Sequence, residues 1–456
     1  MKCLMTLAAA ASLVAAVPAH AKATASEVEQ LGKSLTCVGA IKAGNKEGTI
    51  PEFTGKWLGA PPGVAHHRAS GQHPVDIYAD EKPLFTITAA NYEQYADKLS
   101  PGQKAMFQRY PKTMQMPVYP GHRDFRYADE VCAIIKANAQ DATLEEGGLG
   151  SKGRMGAINF PFPKTGLEAL WNSLLPTRAY TEESTADVIN VLSNGNFVNG
   201  RREARYLSPF NDPANYGKPM GDVTAYAFTK VQLPEREKGN VTVIVEPANY
   251  GANKRLAWQY DPGTRRVRQL PEFGFDMPTP GTGGKLTTDS DRLFNGSPDR
   301  YDWKLQGKKE MYIPANAYRV MQPTIKYKDL LTPGHANPEY MRYELRRVWV
   351  IEGTLKPSYR HVYGKRVLYA DEDTGQAVVA DMYDVRGELW QYAFINMYYS
   401  FDLRAWHAGA SFYHDLQAGV YLGFALSNER PLGPILDRGG LAPAMYTPEA
   451  ARNAGN

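Results

Sequence analysis

From about residue 185 onward, apolar and polar residues alternate in short runs closed by turn signals. DVTAYAFTKVQL (222–233) and VTVIVEP (241–247) place every second residue on one face, with Val241, Val243 and Val245 together. LAWQYDPGTRRVRQL (256–270) alternates, breaks at Asp261-Pro262-Gly263 and alternates again. It predicts a hairpin with Leu256, Trp258 and Tyr260 on one face and Ala257 and Gln259 on the other. RYELRRVWVIEGTL (342–355) sets Tyr343, Leu345, Arg347, Trp349 and Ile351 against Glu344, Arg346, Val348, Val350 and Glu352. KRVLYADEDTGQAVVADMYD (365–384) repeats strand, Asp-containing turn and strand; ELWQYAFINMYYSF and SFYHDLQAGVYLGFAL extend the series. Roughly eight to ten strands joined by short turns are antiparallel neighbours in one large sheet. The absence of helix-length crossovers between them argues against a parallel α/β fold.

Helical spacing is confined to the chain before this region. Leu167, Leu170, Trp171 and Leu174 fall at i, i+3, i+4 and i+7 and predict a helix over 166–175. That helix either packs on the sheet or serves as a lid over an apolar cavity. Ser26 and Glu29 have capping-box spacing and predict a helix over 27–35. Further helices are expected over 90–110, with Pro101 as a break or a new first turn, and over 128–139. Residues 22–150 are rich in turn residues, aromatics and prolines. They are expected to be an ordered helical and loop segment packed on a body formed by 151–456. The glycines of EEGGLGSKGRMG, followed by the stiff FPFP, mark the boundary.

The N-terminus changes the compartment. MKCLMTLAAAASLVAAVPAHA has a Lys2 n-region, an apolar run from Leu4 to Val17 and Ala19-His20-Ala21, the order of a secretory signal peptide. Cleavage is expected before Lys22, giving a periplasmic chain; with no cysteine just after that point, no lipid anchor is expected. No later run approaches about 18 uninterrupted apolar residues, so no membrane span is expected in the mature chain. The formal net charge of +4 is small for 456 residues, and its basic residues are interleaved with acids, which does not support nucleic-acid binding. Of three cysteines, Cys37 and Cys132 survive cleavage. An oxidising compartment favours a disulfide between them over two separated buried thiols.

Candidate chemistry is sparse. Gly148 to Gly153 matches G-x-G-x-x-G without a preceding strand, so it is not read as a dinucleotide site. GTGGKLTT lacks the first glycine and the hydroxyl of a phosphate loop. His66, His67 and His73 share a loop, and His407 and His414 lie seven apart, without carboxylate or cysteine spacing to make a metal site. Asp289, Asp291, Asp299 and Asp302 read as turn and cap residues. NKEGTIPE (45–52) lacks the oxygen ligands of a calcium loop. Neither a cofactor nor a metal is expected, and no catalytic set stands out.

An aromatic sheet face has to be buried against something. If the sheet curls and helices plug its mouth, Trp258, Tyr260, Trp303, Trp349 and Trp390 are candidate cavity walls, with Trp171 on the lid. A filled core is the alternative. The segments TCVGAIKAGNKEGTIPEFTG, DEKPLFTITAANYEQYADKLS, RYPKTMQMPVYPGHR, INFPFPKTGLEALWN, RLFNGSPDRYDWKLQGKKEMYIP and RYELRRVWVIEGTLKPSYRHVYGKRVLYADEDTG carry a resemblance across essentially the whole mature chain. Together they resemble domain-of-unknown-function family 1329, an uncharacterised Gram-negative envelope family. That resemblance implies an α+β, mainly antiparallel, LolA/LolB-like curved half-barrel with a helical lid and a long N-terminal wrapping segment. It also implies a non-enzymatic periplasmic carrier or chaperone for a hydrophobic lipid or acyl-chain ligand. Outer-membrane channel proteins and RND-type exporters are the implied partners. A lipid or ester hydrolase would instead need a nucleophile beside a histidine in the cavity. A structural adaptor would have a filled core and an exposed apolar patch.

Overall fold

The computed structural model describes residues 22–271 and 274–455; the expected signal peptide, 1–21, lies outside them. The first part of the chain contains α1 (Ala25–Gln30), β1 (Phe85–Thr88), α2 (Pro101–Arg109), β2 (Gln115–Val118), α3 (Asp129–Asp141), the short hairpin β3 (Thr143–Leu144) and β4 (Ser151–Lys152), and α4 (Gly166–Leu174). A first meander follows: β5 (Thr181–Val191), β6 (Phe197–Leu207), β7 (Val223–Leu233), β8 (Val241–Pro247), β9 (Leu256–Asp261) and β10 (Arg266–Gln269). The second runs through β11 (Tyr301–Pro314), α5 (Tyr327–Leu330), β12 (Tyr343–Leu355), β13 (Tyr363–Asp371), β14 (Ala377–Asp384), β15 (Leu389–Ser400), β16 (Ala405–Asp415) and β17 (Val420–Leu426). β18 (Ile435–Leu436) and α6 (Pro448–Gly455) complete the described chain.

The two meanders form one sheet because β17 pairs antiparallel with β5, Tyr421 opposite Val191. The chain's later meander therefore lies beside the start of the earlier one. β10 is the end of one side; β11 and the β1–β2 pair border the other, and these ends do not pair with each other. The sheet is thus open, a mainly antiparallel half-barrel. Pairing is parallel at one point, where Val118 of β2 meets Tyr343 of β12, so the N-terminal segment extends the sheet edge.

Local chemistry sets the helix starts. Thr165 and Ser100 each accept from the backbone three residues on, with Glu168 and Gln103 closing the capping boxes. Pro101 is the first residue of α2, and the expected 90–110 helix divides there into a 3-10 turn over Tyr92–Lys98 and α2. α1 starts two residues earlier than expected: Thr24 and Glu27, not Ser26 and Glu29, form the box. That choice buries Val28 against α3 and sets Glu27 against Lys164.

Around β14 and β15 the sheet is buried on both faces. α2 docks on one of them, where Asp381 accepts from Ser100 Oγ and the Gly102 amide, each at 3.0 Å. A Cβ at residue 102 would come within 2.2 Å of that carboxylate, which explains the glycine there. Across the sheet, Arg366 points the other way and meets Asp289 at 2.7 Å. Cys37 and Cys132 form a disulfide, Cα–Cα 5.2 Å, tying the loop after α1 to α3. No helix among the described residues is long and apolar enough to cross a membrane.

Candidate functional site: a cavity on the small-residue face

A cavity of about 200 Å³ lies between the first meander, α4 and the 274–295 segment. Its position follows from side-chain size. Register places Glu182, Tyr206, Ala227, Ile244 and Ala257 in one row from β5 to β9, and Thr229, Thr242 and Gln259 in the next. These residues line the cavity, together with Ala225. Alanine and threonine leave empty the volume that larger side chains fill in a close-packed interior. Leu174 and Leu175 from the α4 side, and Phe294 and Leu286 opposite, complete an apolar lining.

Most of the large residues of β7 to β9 face the other way. Val241, Val243, Phe228 and Tyr260 form a second core with Tyr446 and Ala451, and Trp258 packs against it. α6 covers this face: a Cβ at Gly455 would fall 2.2 Å from the Tyr260 ring, and Lys230 Nζ donates to the Ala454 carbonyl at 2.6 Å. The face expected to wall the cavity is therefore packed beneath a C-terminal helix. Large aromatics fill space and so consolidate a core. Trp258→Ala is expected to cost about 2–3 kcal/mol, less than for a fully buried tryptophan because Trp258 is half-buried, and to leave cavity binding unchanged. Urea denaturation beside a probe titration checks both parts.

The other expected wall residues are dispersed. Trp171 lines the cavity, its Nε1 donating to the Gly148 carbonyl at 2.9 Å. Trp303 is one layer behind, edge-on to Phe294 with centroids 4.9 Å apart. Trp349 lies under the Lys308 ammonium, 4.4 Å from its ring, and Trp390 meets Tyr363 at a tilt, centroids 5.3 Å apart; neither reaches the cavity.

The cavity's polar groups sit at two places. On the β8 side Glu246 pairs with Arg255 at 2.9 Å and accepts from the Tyr250 hydroxyl at 3.1 Å. On the β5–β6 side stand Arg178, Glu182, Arg202, Tyr206, Asp291 and Arg292. Arg292 reaches Glu182 at 3.6 Å from a left-handed backbone, φ 51°. Burial, then the neighbouring Arg292 charge, pulls Arg178 down to about 10, so it stays protonated at neutral pH. Burial pushes the Tyr206 hydroxyl up, keeping it neutral.

The remaining sequence candidates have structural surroundings. His66 meets Asp402 at 3.3 Å and His73 meets the Arg430 carbonyl at 3.2 Å. Burial pulls His407 to about 4 and His414 to about 3. No cluster of three or more His, Cys, Asp or Glu among the described residues is placed to hold a metal. Asp289 departs from the turn-and-cap reading: it is fully buried among Arg300, His361 and Arg366, partners too scattered in sequence for spacing to reveal. Among the described residues lining the cavity there is no histidine and no cysteine.

The family model for "Protein of unknown function (DUF1329)" matches residues 86–452. An uncharacterised protein of Pseudomonas aeruginosa is 41% identical over 438 residues, covering 95% of this chain and 94% of that protein. Among solved structures, a DUF1329 family protein from Desulfovibrio piger is similar over 60% of this chain and 92% of its own, at 15% identity and TM-score 0.40. A LolA superfamily protein from Nitrosomonas europaea is similar over 62% and 98% respectively, at 12% identity and TM-score 0.37.

Proposed function

The chain belongs to the DUF1329 family, and from that premise we propose that it is a non-enzymatic periplasmic carrier or chaperone whose cavity holds a hydrophobic, acyl-chain-like ligand. One observation carries this reading: β7, β8 and β9 turn Ala225, Ala227, Thr229, Thr242 and Ala257 toward a cavity, while Phe228, Val241, Val243, Trp258 and Tyr260 pack on the other face. Each methylene taken from water into such a lining contributes roughly 0.8 kcal/mol, so even a short chain gains useful affinity. Hydrolysis would need a base beside a nucleophile, and the described lining contains no histidine to supply one. Release to an outer-membrane channel protein or an RND-type exporter is the partnership that fits this role.

Ala227→Trp tests the reading, because residue 227 is central in the cross-strand row and its side chain enters the cavity. The variant is expected to lose fluorescent fatty-acid binding by about tenfold or more while retaining the wild-type circular dichroism spectrum. Undiminished binding would place the ligand elsewhere. Native mass spectrometry of periplasmic protein, with lipid extraction, is expected to show a co-purifying acyl-chain mass in wild type and none in the filled variant.

A further inference from the structure

We infer that the ligand is an anionic amphiphile, with its carboxylate or phosphate head received by Arg178 and its chain lying over β7 to β9. The inference deepens the carrier reading and rests on it.

The observations come from the cavity's polarity. Its charged side chains are not spread round the wall. β7 and β9 contribute Ala225, Ala227, Thr229, Ala257 and Gln259, whereas Glu182, Arg202 and Tyr206 come from β5 and β6. Glu246 on β8 is already satisfied by Arg255 and Tyr250. On the β5–β6 side three guanidiniums, Arg178, Arg202 and Arg292, face two carboxylates, Glu182 and Asp291. Arg292 is paired with Glu182. Arg202 sits over Phe424, its Cζ 4.1 Å from the ring centroid. Arg178 makes no side-chain hydrogen bond or salt bridge with a described residue, yet it lines the cavity and remains protonated at neutral pH.

Arg178 is half-buried, and the charges of Glu182 and Asp291 act on it without a hydrogen bond to either, so its planar fork of donors is left open to a carboxylate or phosphate. An incoming anion would restore both the hydrogen bonds and the charge balance. A neutral alcohol of the same chain length could fill the apolar side but would leave the cation unbalanced. The cavity therefore favours an acid over an alcohol by its charge and tolerates a range of chains by its shape.

The experiment compares dodecanoate, dodecyl phosphate, 1-dodecanol and inorganic phosphate by displacement of a bound fluorescent fatty acid and by calorimetry. Wild type is expected to bind the two acids about tenfold or more tighter than dodecanol, and inorganic phosphate far more weakly than dodecyl phosphate. Arg178→Gln should bring both acids down to the affinity of dodecanol, leaving dodecanol itself unchanged. Arg178→Lys should restore part of the preference. Equal wild-type affinity for acid and alcohol would overturn this inference while leaving the carrier reading intact. Inorganic phosphate binding as tightly as dodecyl phosphate would also overturn it, since the anion alone would then be the ligand. No binding by any chain would overturn the carrier reading itself. Because head-group preference is read on wild type, the test holds even if Arg178→Gln fails to fold; Arg202→Gln, which is expected to weaken acid binding without abolishing it, then replaces it.

Discussion

Removing the Cys37–Cys132 disulfide is expected to lower the stability of the folded chain by about 4–5 kcal/mol in the chain-entropy account. The bond spans a sequence separation of 95 residues, and that segment contains β1, α2 and β2. In the unfolded ensemble the cross-link withholds the freedom of that whole loop. In the folded state little should change on its loss, because independent contacts hold the same segment. Arg123 donates to both Asp373 oxygens at 2.8 Å and to the carbonyls of Ile41, Lys42 and Pro51. Val28 and Leu31 also pack against Ala139 of α3. Guanidinium denaturation of wild type and of the Cys37→Ser, Cys132→Ser double variant measures the difference. Coincident curves would mean that breaking the covalent link gives the unfolded chain no added freedom.

Much of the sheet could be read from residue periodicity because antiparallel meanders are local: each strand pairs with the next, and alternation survives into the ladder. The hairpin at Asp261-Pro262-Gly263 shows this, with Asp261 Oδ1 accepting from the Gly263 amide at 2.8 Å. Alternation separates two faces but does not say which one meets a cavity. Val241, Val243, Trp258 and Tyr260 pointed to an interior, and they have one, beneath α6. α6 carries little signal in the sequence, since PEAARNAG is short and mostly small or polar. The informative signal for the cavity is smallness: Ala225 and Ala227 on β7, Thr242 on β8 and Ala257 on β9, with bulky residues on the other face of the same strands. Pairing of β17 with β5 was equally hidden, because it joins segments more than 200 residues apart and depends on closure of the whole meander. Arg178 lies outside any strand, and it meets Arg202 and Arg292, the latter more than 100 residues away, only in the folded cavity.

Asp289→Ala is expected to destabilise the fold by about 3–5 kcal/mol, because it strands positive charge in the interior. Asp289 Oδ1 accepts from Arg366 Nη2 at 2.7 Å and Thr287 Oγ1 at 2.9 Å; Oδ2 accepts from Arg300 Nη2 at 3.1 Å and faces His361 Nε2 at 3.1 Å. Burial by itself would raise this carboxyl, but Arg366, His361 and Arg300 outweigh it and hold Asp289 well below the usual carboxylate range. Burial lowers His361, so the imidazole is neutral at pH 7 and the carboxylate balances the two arginines. The pH dependence follows from that depression. Stability from Asp289 is fully present above its unfolded value near 3.8 and is lost as pH falls toward the lower folded value. The gap between wild type and variant should therefore be level from about pH 5 to pH 8 and narrow only below about pH 4. Asp289 also anchors the turn that delivers Asp291, Arg292 and Phe294 to the cavity, so fatty-acid affinity should fall in the same variant. Denaturation curves across that pH range, paired with probe titrations at pH 7, test both consequences. A loss under about 1 kcal/mol would show that solvent reaches the two arginines once the carboxylate is gone.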